Sequence, residues 1–440
     1  MTFMKSNTER IAEIQNPIFR KYAEIYHDID RQFYEQLEKL GLLLVEAAPS
    51  EREMTLKHLG QQGAIIDNDG KSVHVNWLSD ACRACRTGIG SASFFLSLQC
   101  HRHCYYCFNS NQEHYGHYSH QLRDCIGELE QLCRSGRRIS HVALTGGEPL
   151  LHPQESIEFF QRARTLFGQV HSRLYTSGDL VDATILSQLQ QAGLSEIRFS
   201  IKLEDSLALR RIVLEKIALA KQYIPSVMVE MPVIPGDPAA MQELLRHLDR
   251  LEIAGINLLE FCFPFHNAAE FQRRGFAIKT PPWRVLYDYW YAGGLPVAGS
   301  ETACLELLEF ALTEKLRLGV HYCSLENKHT GQIFQQNSRQ PESNLVYLSP
   351  RDYFYKTAKV FGADISLALS VLNTQKALPY QRNTEHQYLE FHVRNIELLR
   401  DLNLEVGISS QIMEERDGVW FLRELCIEPI FARQFDLQTL

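Results

Sequence analysis

No stretch of this 440-residue chain approaches the roughly 20 consecutive apolar residues that a helix needs to cross a bilayer. That excludes a helical membrane span. Met1 to Arg20 is polar, with no apolar core of the secretory type, so the expected location is the cytoplasm. Basic charge is in deficit: 45 Lys and Arg against 53 Asp and Glu give a formal net charge of -8, leaving no overall field to hold a phosphate backbone. Nucleic acid is therefore a disfavoured substrate. No internal repeat is present, and eleven cysteines in a chain of this length do not make a disulfide scaffold. A hydrophobic fraction of 45% is that of a globular protein, and the length suits a large barrel plus one smaller domain.

What the chain does hold is clustered sulfur. Cys100-His-Arg-His-Cys104-Tyr-Tyr-Cys107 follows a strand-like segment and precedes the glycine-rich turn Thr145-Gly-Gly-Glu-Pro149. Three thiolates on one loop can hold three irons of a four-iron cluster, whereas a closed cluster takes four cysteines, so one iron would stay open. Reduced structural cysteines or a zinc knuckle are the plainer readings, but zinc sites usually pair one C-x2-C unit with another. A second group, Cys82-Arg-Ala-Cys85, offers two thiolates to one metal; a third ligand is available at Cys323 or Cys304. An auxiliary zinc or iron-sulfur site on Cys82, Cys85 and Cys323 stands against plain packing of these cysteines. Histidines 101, 103, 114, 117 and 120 crowd the first loop without regular ligand spacing and read as solvated.

Apolar periodicity predicts an amphipathic helix over 16–41, packed on the main domain, a second helix over 50–59 capped by Ser50, and a strand over 72–77. From Phe94 strands and helices alternate, with strands predicted at 94–98, 141–144, 172–175, 196–201, 226–233 and 256–263. Six right-handed βα units curl into a partly open parallel barrel, with a doubly wound sheet as the competing geometry. In either, function gathers at the carboxyl ends of the strands. Beyond a polar linker at 335–343, a small α/β domain is predicted. It has a strand at 345–348, a helix from Ser349 and Pro350 to Gly362, a strand at 366–372, a helix at 384–401, and strands at 404–408 and 419–425. The expected domains are 1–79, 80–334 and 344–440.

Strand alternation also sorts the candidate residues. Arg198, Ser200 and Lys202 share one side of the fourth strand, opposite Ile197, Phe199 and Ile201; the polar side is expected to line the barrel. Glu230 opposes Val229 and Met231 on the fifth strand, and Glu260 and Cys262 share a face of the sixth with His266 just beyond. Lys202, Glu230, Glu260 and His266 are candidates for anion binding or acid/base work, with a structural ion pair as the other reading of Lys202.

The cysteine loop, Gly146-Gly147-Glu148 and Thr176-Ser177-Gly178 together resemble the radical S-adenosylmethionine (radical SAM) superfamily. The resemblance implies a partial (β/α)6 barrel, here with an N-terminal helical extension and a small C-terminal α/β domain. It implies a [4Fe-4S] cluster on Cys100, Cys104 and Cys107 whose open iron binds SAM, and reductive cleavage of SAM to a 5′-deoxyadenosyl radical that abstracts hydrogen from a substrate. It implies SAM contacts from Tyr106, Gly146, Gly147, Glu148, Thr176, Ser177 and Ser200, and a flavodoxin or ferredoxin as electron donor. Ser177 replaces the usual Asn, and Val233-Ile-Pro-Gly236 follows the Gly-x-Ile-x-Gly pattern only loosely. From about Cys82 to Gln335 the chain resembles more closely a group described as related to pyruvate formate-lyase activating enzymes, a description that assigns no activity. Cys82-x2-Cys85-Arg-x-Gly88, Leu174-Tyr-Thr-x-Gly-Asp179, Val229-Glu-x-Pro-Val-Ile-Pro-Gly236 and Val320-His-Tyr-Cys323 carry that likeness, and Glu148 departs from an expected Asp. A small-molecule substrate is favoured; a peptide or glycyl-radical protein is next, and a non-catalytic iron-sulfur scaffold is the reading from another class.

Overall fold

The computed structural model describes residues 11–281, 294–338, 341, 343–377 and 379–440; part of the expected linker falls outside them. Two compact units emerge, one of Leu42–Gly331 and one of Met1–Gly41 with Gln332–Leu440.

The larger unit is built on a nine-stranded sheet: β1 (Ile65–Asp67), β2 (Ser72–Val75), β3 (Ser91–Phe95), β4 (His141–Thr145), β5 (His171–Thr176), β6 (Glu196–Phe199), β7 (Ser226–Val233), β8 (Gly255–Glu260) and β9 (Gly319–Cys323). Its order is β1-β2-β9-β8-β7-β6-β5-β4-β3. From β3 to β9 every pair is parallel, while β2 runs antiparallel to β9 and β1 to β2. Strands that neighbour one another in chain order without a reversal make a singly wound sheet, whereas a doubly wound sheet reverses at a switch point. The result is an open-edged partial barrel with seven parallel strands; β9 is one more than the alternation predicted.

Helices α1 (Asp80–Cys85), α2 (Cys125–Arg134), α3 (Pro153–Phe167), α4 (Ala183–Ala192), α5 (Leu207–Ala220), α6 (Ala239–Arg250), α7 (Ser300–Thr313) and α8 (Leu325–Asn337) follow. The α4 helix shows how the sequence sets their ends: Asp182 accepts from the Ile185 amide at 2.8 Å, and Gly193 closes it at φ 86°. One face of the sheet, with Val142, Leu174, Ile197, Val229, Ile256 and Val320, packs into a single apolar core with α2 to α7. The other face carries Ser72, His74, Glu196, Arg198, Asn257 and His321, all buried. Arg198 divides from Ile197 and Phe199 as read from the fourth strand, whereas that strand ends at Phe199 and Ser200 and Lys202 lie beyond it. None of the described helices is long and apolar enough to cross a membrane.

The smaller unit contains an antiparallel sheet of Tyr380–Asn383, Tyr388–Phe391, Tyr355–Phe361, Glu405–Arg416 and Val419–Phe431, in that order, and the helix Asp364–Thr374. Three local expectations are corrected here. The segment read as a helix ending at Gly362 is the strand Tyr355–Phe361, whose lysines are buried by ion pairs of Lys356 with Asp352 at 2.7 Å and of Lys359 with Glu424 and Glu390. The expected strand at 366–372 is the helix, with Ile365, Ala368 and Leu372 turned into the core. The expected helix at 384–401 divides into the strand Tyr388–Phe391 and a 3-10 segment, Val393–Leu399. The amphipathic helix is Pro17–Lys39, capped by Asn16. It belongs to this unit rather than to the main domain, with Phe19 stacked on Phe361 at 4.5 Å between ring centroids. Helix Pro49–Gln61 begins without a side-chain cap; Ser50 lies inside it.

Candidate functional site

The cysteine loop leaves β3 at its carboxyl end and is tied down from several elements. Arg102 forms an ion pair with Asp179 beyond β5 and reaches Asp205 at 3.2 Å, and His101 Nε2 lies 2.6 Å from Asp179 Oδ2. Burial alone would raise the Asp179 carboxyl, but Arg102 and His101 hold it below the usual carboxylate range. From the opposite side His266 Nε2 donates to the Cys107 carbonyl at 2.7 Å, and Asn267 Nδ2 donates to the Tyr105 carbonyl at 2.9 Å. The Tyr106 ring meets Phe261 at 5.6 Å. The Arg102 amide points at Cys100 Sγ at 3.4 Å. Burial pushes the Cys100 and Cys107 thiols above the ordinary value; both also feel Cys104 as a like charge and Lys202 as an opposite one. Lys202 has no hydrogen bond or ion pair to a described side chain.

Both glycines of the second motif face their own chain rather than open space. A Cβ on Gly147 would stand 1.8 Å from the Gln99 carbonyl oxygen, and one on Gly146, whose φ is 117°, would stand 2.6 Å from the Ser97 carbonyl oxygen. The Gly147 and Glu148 amides donate to Ser97 and Gln99 at 3.0 and 2.8 Å, so this turn zips onto the approach to the cysteine loop. Glu148, 1% exposed, spends its carboxylate inside the protein. Oε1 accepts from the Leu150 amide and the Thr176 hydroxyl at 3.0 and 2.9 Å, and Oε2 from the Ser177 amide and hydroxyl at 2.7 and 2.6 Å. Four donors fill about four lone-pair directions. The second and third motifs are thereby one rigid piece, with the Ser200 amide bonded to the Thr176 carbonyl beside it at 2.9 Å.

On the inner face of the sheet, Arg198 pairs with Glu196 at 2.6 Å and Glu230 at 2.5 Å. Asn257 donates to Glu230 at 2.7 Å and to Cys82 Sγ at 3.2 Å, while Arg198 donates to the same sulfur at 3.4 Å. Ser79, at the N-cap of α1, donates to Glu196 at 2.7 Å, so α1 lies against this face. Cys82, Cys85, Cys323 and Glu230 are thus brought to one region, apart from the cysteine loop in sequence and on other strands. Glu260 is buried in a pair with Lys279 at 2.5 Å, Lys279 also bonds Glu301, and Glu260 Oε2 accepts from the Leu325 amide at 2.9 Å. Among the described residues, no three His, Cys, Asp or Glu side chains stand as a ready metal-holding group.

Burial by itself would raise the Glu196 carboxyl, but Arg198, His171 and Ser79 hold it well below the carboxylate range. A carboxyl lowered on folding adds stability that is present above its unfolded pKa, about 4.3, and is lost as pH falls through the folded value. Glu196→Gln is therefore expected to lower the melting temperature near pH 7 and to converge with the parent as the medium is acidified below pH 4. A gap that stays constant across that window contradicts this origin.

Sequence reasoning missed Arg102, Asp179 and Asp205. Asp179 stood inside a quoted segment, but its partner is 77 residues away, and no local pattern announces the pair.

Residues 95–248 match the family model of the radical SAM superfamily. That match implies an iron-sulfur cluster and SAM. The chain is 28% identical over 256 residues to the Methanocaldococcus jannaschii protein named "Putative glycyl-radical enzyme activating enzyme MJ0021", covering 56% of this chain and 63% of that one. That name fits the likeness to the activase-related group. Among solved structures, the Escherichia coli coproporphyrinogen III oxidase, titled a radical SAM enzyme, is 14% identical over 54% of this chain and 56% of its own, with a TM-score of 0.37. The protein titled "Native anSMEcpe with bound AdoMet" is 14% identical over 52% of this chain and 63% of its own, with a TM-score of 0.38. The chain spans less than two thirds of the length of each.

Proposed function

We propose that Cys100, Cys104 and Cys107 hold the cluster and that the chain is a radical SAM enzyme acting on a small molecule. The observation that carries this reading is the loop itself: three thiols on one turn, closed by the Cys107 amide on the Cys104 carbonyl at 3.1 Å and clamped by Asp179, Asp205 and His266 beside a glycine turn. These residues fit a cluster with one open iron, since three thiolates leave the fourth iron unligated. When bound, the cluster and SAM supply reductive cleavage and the hydrogen-abstracting radical; the protein supplies binding, orientation and exclusion of water.

The chain's own residues divide that work. Lys202 stands within electrostatic reach of the thiols, has no bonded side-chain partner among the described residues, and is the cation for the SAM carboxylate or a substrate anion. Glu148 is saturated, so its part is to fix Thr176, Ser177 and Gly147 while backbone groups and Ser200 meet SAM. Tyr106 packs beside the loop, and His266, donating to the Cys107 carbonyl, positions it. Glu230 lies on the substrate side, held ionised by Arg198. Glu260 is structural. The electron donor is a flavodoxin or ferredoxin, and the location is cytoplasmic.

A protein substrate is the second reading, favoured by the name of the M. jannaschii relative. Incubation with SAM, dithionite and candidate glycyl-radical proteins, followed by electron paramagnetic resonance, separates the two. A glycyl radical on a partner overturns the small-molecule reading, and deoxyadenosine formation stimulated by a small molecule alone supports it.

A further inference from the structure

Glu230 differs from the charged groups around it on the inner face of the sheet. The side chains of Glu196 and Arg198 are 1% and 3% exposed, whereas that of Glu230 is 18% exposed. Its two oxygens are also used unequally. Oε2 accepts from Arg198 Nη1 at 2.5 Å and from Asn257 Nδ2 at 2.7 Å, while Oε1 accepts from no described residue. Asn257 is turned for this by His321, whose Nδ1 lies 2.9 Å from the Asn257 side-chain oxygen and whose Nε2 lies 2.9 Å from the Ser72 hydroxyl. The carboxylate is pinned through one oxygen, and the other keeps its capacity to accept.

The surroundings of that oxygen are set by the register. Val229 and Met231 turn outward into the apolar core, which sends Glu230 inward. Two residues further along the two strands, on the same inner side, Pro232 and Leu259 stand in register with each other and are half-buried. Tyr175, also half-buried, lays its ring against the Arg198 guanidinium at 5.4 Å. Phe199 is in register with Val229, the residue before Glu230, so the chain at Ser200 runs about one interstrand spacing, roughly 4.8 Å, from the chain at Glu230. The carboxylate therefore lies beside the segment assigned to SAM, under partly open neutral walls. Small-molecule sites are commonly built this way, from apolar walls and a few placed polar groups.

We propose that Glu230 Oε1 is the recognition point for a hydrogen-bond donor, an ammonium or a hydroxyl group, on a small substrate. This rests on the small-molecule reading above and narrows it to substrates that carry such a donor at their inner end. A ligand that can only accept would cover the free oxygen without bonding it, and burial of an unbonded carboxylate is costly. A donor meets an ionised acceptor whose orientation Arg198 and Asn257 have already set.

Binding titrations followed by ligand-observed NMR test this on the full chain, with neither SAM nor reductant present. The probes are cyclohexylamine, cyclohexanol and cyclohexanone, with matching linear amines, alcohols and ketones. An amine or an alcohol is expected to bind about 10-fold or more tighter than the ketone of the same skeleton, and which of the two leads identifies the donor. Glu230→Gln is the decisive variant. Arg198 and Asn257 claim its one amide oxygen, so its amide nitrogen falls at the free position and offers a donor where the carboxylate accepts. The preference is expected to vanish or to turn toward the ketone. A panel in which no donor outranks its ketone, absence of binding included, overturns the proposal, and so does a preference that survives Glu230→Gln. Should that variant not fold, Glu230→Asp, which withdraws the oxygen by one methylene, is expected to weaken donors about 10-fold and leave ketones unchanged; undiminished donor binding overturns the proposal. Deoxyadenosine from the cluster-loaded parent is measured separately. Its absence counts against the SAM reading alone, and a failed donor ranking with deoxyadenosine intact counts against this proposal alone.

Discussion

A Cys104→Ala variant, reconstituted anaerobically with iron and sulfide, is expected to form no 5′-deoxyadenosine above background. Cys104 is the middle thiol of the loop, and the Cys107 amide donates to its carbonyl at 3.1 Å, so the tight turn brings the second and third sulfurs together. Without it two thiolates remain, too few to hold a cuboidal cluster whose open iron is meant to bind SAM. Outer partners behave differently. Asp179→Asn removes the anion that anchors Arg102 and His101 but leaves all three ligands, and losses of about 10–100-fold in activity are usual for such changes. The contrast is the test. A Cys104→Ala protein that keeps deoxyadenosine formation within tenfold of the parent contradicts the assignment of the loop, and so does an Asp179→Asn protein as dead as the cysteine variant while retaining its iron.

Glu148→Ala is expected to destabilise the larger unit by about 3 kcal/mol or more. The carboxylate is buried and accepts from two backbone amides and two hydroxyls. Hydroxyls can turn to other acceptors; the Leu150 and Ser177 amides cannot, and each stranded buried donor costs roughly 1–3 kcal/mol. Glu148→Gln keeps one acceptor oxygen and is expected to recover part of the loss. Chemical denaturation of the SAM-free protein reads this without any cofactor. If Glu148 served only as a neighbour of the SAM ammonium, Glu148→Ala would unfold at the parent's denaturant midpoint and lose only SAM affinity.

The barrel was legible because its parallel strands are buried on both sides by chain of opposite character. Helix-facing positions such as Ile197 and Phe199 are fully apolar, and the intervening Arg198 is polar, so alternation and βα periodicity both survive in the sequence. β9 was harder. It follows α7 after a stretch that breaks the simple βα rhythm, and its inner positions, His321 and Cys323, read as ligands before they read as a strand. The second motif was found for a reason the structure amends: Gly146 and Gly147 are demanded by the approach of Ser97 and Gln99. Glu148, expected only as a SAM contact through the resemblance, is a hydrogen-bond hub, and its partners Thr176 and Ser177 lie 28 and 29 residues away where no local spacing could reveal them. In the C-terminal unit, Lys356 and Lys359 sit fully inside a strand through ion pairs with Asp352, Glu390 and Glu424. Buried charge of that kind breaks the apolar pattern on which strand prediction depends. The helix Asp364–Thr374 carried a helical period in Ile365, Ala368 and Leu372, yet its short apolar run was read as a strand, since a run of that length fits either element.

The central claim is that the Cys100, Cys104 and Cys107 loop serves reductive cleavage of SAM. Iron, sulfide and 5′-deoxyadenosine, measured on the anaerobically reconstituted chain with SAM and dithionite, test it directly. The account predicts a loop cluster of about four irons and deoxyadenosine that disappears in the Cys104→Ala variant. An intact cluster that yields no deoxyadenosine, with or without a panel of small molecules and glycyl-radical proteins, would contradict it.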